Sequence, residues 1–177
     1  ADDIVAYNEE DHVENYNVKL YLTKDGYFKK ITLQSLRGND EQKLKEGDEI
    51  TQTVEASNAY DLLFFSNKQQ VYKSKAIEFV DSKASILGDY VPSKLEFEEA
   101  ENAVFMASTT DYSGYMIFIF DNGRISKVPL SSYMTKNNRK KLIAAYCGKF
   151  TLHSIFQIKE DVDICLKSTN GRILLVN

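Results

Sequence analysis

At 177 residues, with a formal net charge of -4 and a pI near 5.3, the chain is long enough to bury roughly 68 to 70% of its unfolded surface in one domain. It is also more acidic than domains that meet nucleic acid over their whole surface. The two cysteines, Cys147 and Cys165, form neither a metal-type pair nor a disulfide framework, which points to free thiols and a reducing compartment. No charged n-region precedes an apolar h-region at the start, and the densest apolar run, YMIFIF at Tyr115 to Phe120, is far too short for a bilayer. The chain therefore reads as soluble and cytoplasmic, with no membrane partner.

Residues 1–16 form an acidic lead-in containing Asp2, Asp3, Glu9, Glu10, Asp11 and Glu14. The first hairpin follows at 18–33: VKLYL (Val18 to Leu22), a KDG turn, then YFKKITL (Tyr27 to Leu33). Asp-Gly favours the positive φ angles of a two-residue primed turn. VKLYL alternates apolar and polar residues, so one of its faces is expected to be wet. A second hairpin at 60–77 joins LLFF (Leu62 to Phe65) to VYKSKAI (Val71 to Ile77), and a third at 115–130 joins YMIFIF to RISKVPL (Arg124 to Leu130). Their first strands are apolar on both faces and should be central. A fourth hairpin at 163–176 joins DICLK (Asp163 to Lys167) to RILLV (Arg172 to Val176).

Aligned on Gly26, Gln69, Gly123 and Gly171, the four turns stand 43, 54 and 48 residues apart. That spacing is the one at which propeller blades repeat, and it is longer than leucine-rich or ankyrin units. One further apolar segment separates successive hairpins: Glu49 to Ala56, Asn102 to Ser108 and Phe150 to Ile158. No long helical period competes with this pattern, although Asn138 to Tyr146 has the composition of a short helix. The expected fold is all-β: about four hairpin-based blades, partial or open because four is the low end for closed propellers and the last hairpin reaches Asn177.

LYLTKDGYFKKITL (Leu20 to Leu33), LLFFSNKQQVYKSK (Leu62 to Lys75) and IFDNGRISKVPLSSY (Ile119 to Tyr133) resemble the blades of the C-terminal β-pinwheel of bacterial type IIA topoisomerases. In that family the pinwheel belongs to the A subunit of gyrase or topoisomerase IV. The likeness covers nearly the whole length from Val18. It implies a single non-catalytic domain that binds and bends double-stranded DNA on a basic rim. Its other partners would be the ATPase subunit together with the remainder of the A subunit, in a bacterial, nucleoid-associated setting, with strand breakage by a Tyr of another domain. One departure stands out. The gyrase family's basic, glycine-rich box is absent or degraded here, whether its slot is Asn39 to Lys45 or Gln34 to Asp40.

Lys and Arg attract phosphates irrespective of base sequence. The first candidates for DNA contact are Lys136, Arg139, Lys140 and Lys141, clustered in the loop after the third hairpin. Lys29, Lys30, Lys73, Lys75, Arg124 and Lys127 recur at like places in successive units and would form a stripe on one rim. Arg37, in the former box region, completes the set. His12 and His153 have no carboxylate or Cys partner at metal spacing. Gly-rich phosphate loops, nucleophile elbows and HExxH are missing from the sequence. Neither a catalytic residue nor a metal or other cofactor is therefore expected. The rival reading, favoured by the net charge and the missing box, is a propeller-like protein-interaction module without DNA binding.

Overall fold

A computed structural model of the chain describes residues 14–137, 139–160, 164–167 and 173–176. Most of the acidic lead-in, with His12, and the turn of the fourth hairpin lie outside the described residues. Among those described, thirteen strands carry the fold. The first hairpin is β1 (Asn17–Thr23) and β2 (Tyr27–Thr32), followed by a short helix α1 (Leu33–Gly38) and β3 (Ile50–Ser57). The second unit has β4 (Asp61–Ser66), β5 (Val71–Lys75), a two-residue strand β6 (Asp89–Tyr90), a one-turn helix α2 (Val91–Lys94) and β7 (Ala103–Thr109). The third has β8 (Tyr115–Phe120), β9 (Ile125–Pro129), β10 (Lys141–Leu142) and β11 (Leu152–Ile158). The fourth hairpin is β12 (Ile164–Lys167) with β13 (Ile173–Val176).

These strands all pair antiparallel, and the sheet orders are β3-β1-β2-β6, β7-β4-β5-β10, β11-β8-β9 and β12-β13. In each of the first three blades the strand after the hairpin returns beside the hairpin's first strand. Blades 1 and 2 then gain an outer strand from the following unit. Tyr27 faces Tyr90 and Phe28 faces Asp89 across β2 and β6, while Tyr72 faces Lys141 and Val71 faces Leu142 across β5 and β10.

The turns differ from the expected two-residue primed form. Only their last residue has positive φ, at +95° in Gly26, 56° in Gln69 and +82° in Gly123. With Leu22 paired to Phe28 and Phe65 to Val71, the loops are a tight turn closed by one left-handed residue. Gln69 takes that conformation without being glycine. Its Nε2 donates to the Asn67 carbonyl at 3.0 Å, and its own carbonyl receives the Ala145 N–H at 2.8 Å.

Alternate residues of β4 serve two different cores. Leu62 and Phe64 join Leu20, Leu22, Phe28, Phe79 and Met106 between blades 1 and 2; Leu63 and Phe65 join Val71, Met116, Phe118 and Tyr133 between blades 2 and 3. That is why the strand is apolar on both faces. The wet face expected for β1 is not there: Tyr21 packs with Ile31 and Ala84 under Leu36 and Ile50, and only Lys19 of the four residues Val18 to Tyr21 is half-exposed. The long connections, not a neighbouring blade, cover it. The helix allowed for Asn138 to Tyr146 is replaced by β10, because Lys141 and Leu142 complete the edge of blade 2 and Ala145 and Tyr146 pack into the core beside it.

Candidate nucleic-acid interface

The strand lent by the third unit to blade 2 brings together two groups of basic residues that are far apart in sequence. The Lys73 N–H donates to the Lys140 carbonyl at 2.6 Å, continuing the β5–β10 ladder, and the loop between the short 3-10 turn Leu130–Tyr133 and β10 folds back over β5. One polar groove is lined by Lys73, Lys75, Arg139 and Lys140 along with Met134 and Thr135. Asp61, Glu78 and Asp111 also border it. The Thr135 hydroxyl fixes the loop, accepting from Lys73 Nζ at 2.9 Å and donating to the Asn137 carbonyl at 2.7 Å. Lys136, Arg139 and Lys140 are exposed to solvent.

The two C-terminal cations of the loop already have acidic neighbours. Lys141 Nζ donates to Glu98 Oε1 at 2.8 Å and lies 5.7 Å from the Tyr72 ring centre; Lys140 Nζ is 4.0 Å from Glu78. Glu98 sits on a strap, residues 95–102, pinned across blade 2. The Glu101 carboxylate is buried there, accepting from the hydroxyls of Ser66 and Tyr72 and from the Glu98 N–H.

Lys29 and Lys30 are not rim residues. Their relative exposures are 1% and 3%. Lys29 Nζ donates to the carbonyls of Lys43 and Ala84 at 3.2 and 3.1 Å, and burial pushes its pKa down. Lys30 Nζ donates to Asn58 Oδ1 at 2.6 Å and the Ala76 carbonyl at 3.1 Å, and pairs with Asp81 at 3.2 Å. A strand normally points such neighbours to opposite faces, one of them wet. Here both faces are covered, so neither ammonium reaches a phosphate.

The recurrence of the lysines has a structural cause. Lys30, Lys73 and Lys127 each stand four residues past their turn residue, opposite Leu20, Leu63 and Ile117 in register. Lys30 reaches Asn58 and Asp81 of the next unit; Lys73 reaches Tyr112, with its ring centre 5.5 Å away, and Thr135. Counted from their own turn residue, Asn58 and Tyr112 occupy one position and Asp81 and Thr135 another. The repeated cation is thus a clamp between successive units. Lys73 is half-buried and its pKa is lowered by burial.

The remaining candidates lie apart. Arg124 is exposed at the third turn with its guanidinium 4.9 Å from the Phe150 ring centre, Lys127 lies 4.2 Å over Tyr115, and Arg37 is exposed in the last turn of α1. Of the former box region, Leu33 to Gly38 is helical, capped by the Thr32 hydroxyl accepting from the Ser35 N–H at 3.2 Å. What the sequence alone missed is the acidic side of the site. The run EFEEAE, Glu96 to Glu101, is plain in the sequence, but its place against the basic loop follows from pairing between β5 and β10.

Comparison with known proteins bears on this arrangement. The chain is 28% identical over 133 residues to the DNA gyrase A subunit of Streptomyces coelicolor, covering 70% of this chain and 16% of that protein. It is 28% identical over 179 residues to the DNA gyrase A subunit of Clostridium acetobutylicum, covering 95% and 21%. The crystal structure of the C-terminal domain of a DNA topoisomerase IV superposes with a TM-score of 0.75 over 93% of this chain and 52% of that one, at 22% identity. The homologues are the A subunits of bacterial type IIA topoisomerases, and the fold is that of their C-terminal β-pinwheel. No family model matches the chain. The pinwheel spans about a fifth of the length of the gyrase subunits it matches. Among its described residues, no helix is long and apolar enough to cross a membrane.

Proposed function

We propose that this pinwheel is a non-catalytic DNA-binding and DNA-bending domain of a type IIA topoisomerase A subunit. It would act beside the ATPase subunit together with the remainder of its own polypeptide, and without a functional gyrase box. The observation that carries the reading is the gathering of Lys75, Arg139 and Lys140 in one groove at the edge of blade 2, with Lys136 exposed on the same loop and Lys141 on the rim strand. Exposed cations clustered on a loop suit phosphate contact, which is sequence-tolerant. Arg37, Arg124 and Lys127 are secondary contacts in this reading, whereas Lys29 and Lys30 have none.

Duplex titration at about 50 and 200 mM salt tests it. Three to four phosphate contacts, depending on whether Lys141 is free, give a log-log slope of about -2.7 to -3.6, about a fortyfold to a hundredfold weakening across that range. Changing Lys136, Arg139, Lys140 and Lys141 together to Ala should abolish most of that slope while the circular dichroism spectrum is unchanged. Unaltered binding by this variant would overturn the loop assignment. The acidic total of -4 and the strap beside the loop support the second reading, a protein-contacting module; absence of duplex binding at about 50 mM salt would favour it.

A further inference from the structure

We infer that Glu98 is an internal competitor for DNA phosphate, setting the affinity of the basic rim by occupying Lys141 and Lys68. This rests on the DNA-binding reading above and adds a control element to it. Glu98 Oε1 accepts from Lys141 Nζ at 2.8 Å; its other oxygen lies 3.7 Å from Lys68 Nζ and accepts from Gln70 Nε2 at 3.3 Å. Two cations and an amide converge on one carboxylate, the constellation that a phosphate would draw from the same side chains. Lys141 above all, then Gln70, holds the Glu98 carboxyl below its ordinary range, so it stays ionised at neutral pH.

The carboxylate is held in place by its backbone. Lys68 Nζ donates to the Glu99 carbonyl at 2.6 Å, Asn67 Nδ2 donates to the Ala100 carbonyl at 3.3 Å, and the Glu98 N–H is fixed by buried Glu101. Glu96 and Ala100, on either side, have positive φ of 56° and 58°. Such backbone persists only where surrounding contacts impose it. The pair itself is open to solvent, with Lys141 and Glu98 side chains 38% and 49% exposed, so a duplex can displace Glu98 without unfolding the strap.

Glu99 supplies the control. It lies on the same strap and carries the same charge, but among the described residues its carboxylate takes part in no hydrogen bond or ion pair. Glu98→Gln and Glu99→Gln therefore change net charge equally and differ in whether they release Lys141. If one phosphate contact is freed, duplex affinity rises about 15-fold at about 50 mM salt and about 4-fold at about 200 mM, and the salt slope steepens by about 0.9. Glu98→Gln should show this; Glu99→Gln should show a smaller gain with an unchanged slope. Equal gains from both would reduce the effect to net charge and overturn the inference, while the wild-type slope and the loop variant still test DNA binding separately. A loss of affinity in Glu98→Gln would also overturn it, since the strap would then be positioning the loop for DNA. Binding by Glu98→Gln where the wild type shows none would support it, and no binding by any variant would overturn both readings.

Discussion

Replacing Lys30 with Met keeps most of the buried stem and removes the ammonium from its three oxygens. Left behind are Asn58 Oδ1, the Ala76 carbonyl and Asp81, formerly at 2.6, 3.1 and 3.2 Å. Removing one partner of a buried ion pair costs about 3 to 5 kcal/mol. The Asp81 side chain is 40% exposed and regains water, which places the cost near the lower end, about 3 kcal/mol. For a chain of this size each kcal/mol moves Tm by about 2 to 4 °C, giving a fall of about 6 to 12 °C. Lys73→Met at the equivalent position loses only a hydroxyl and an aromatic face, about 1 kcal/mol and about 2 to 4 °C. Thermal unfolding followed by circular dichroism measures both, and Asp81→Asn in a double-mutant cycle with Lys30→Met isolates the pair. Equal shifts for the two lysines, or no coupling between Lys30 and Asp81, would refute the clamp.

Gly88→Ala should cost at least about 3 kcal/mol in urea unfolding, combining a strained backbone with a steric clash. At φ +94 its Cβ would lie 2.4 Å from the Phe28 carbonyl oxygen, while a Cβ on Gly38 meets nothing within 4 Å, so Gly38→Ala should be neutral or slightly stabilising. Alkaline pH gives another test. The phenols of Tyr16 and Tyr112 are pushed up to about 12, chiefly by burial and then by Asp81 and Asp61 respectively. Between pH 10 and 12 the unfolded chain loses those protons first, so their stabilising contribution, complete below pH 10, disappears across that window. Depressed Lys29 and Lys73 act in the opposite sense, shedding protons first in the folded state as pH rises toward 10.5. Urea midpoints at about pH 9.5 and about pH 11.5 should therefore fall less in Tyr16→Phe/Tyr112→Phe than in the wild type, and parallel losses would contradict this assignment.

The blades were legible because each hairpin announces itself twice, by strand periodicity and by a turn residue tolerant of positive φ. Gln69 shows how far the pattern extends, since the alignment placed it in the glycine position and the backbone there is left-handed. The all-round apolar composition of β4 likewise told that it faces two cores. Site residues were read less well. Repetition placed Lys30 and Lys73 together, but a position repeated for contact between units looks the same in sequence as one repeated for a ligand. Burial of Lys29 depends on carbonyls of Lys43 and Ala84, neither of which any local pattern connects to it. Nor did the acidic run at Glu96 to Glu101 signal that it lies against Lys68 and Lys141, because the pairing of β5 with β10 spans a whole unit.

The donation of β6 to blade 1 and β10 to blade 2 bears on how such a chain can grow or shrink over generations. The second unit carries both an edge that receives a strand, β10, and a strand that it gives away, β6. Duplicating one unit inside the array copies donor and recipient together, and deleting one removes both, so every interior edge still finds a mate. Blade number is free to drift while the joints remain matched, without redesign of any single sheet.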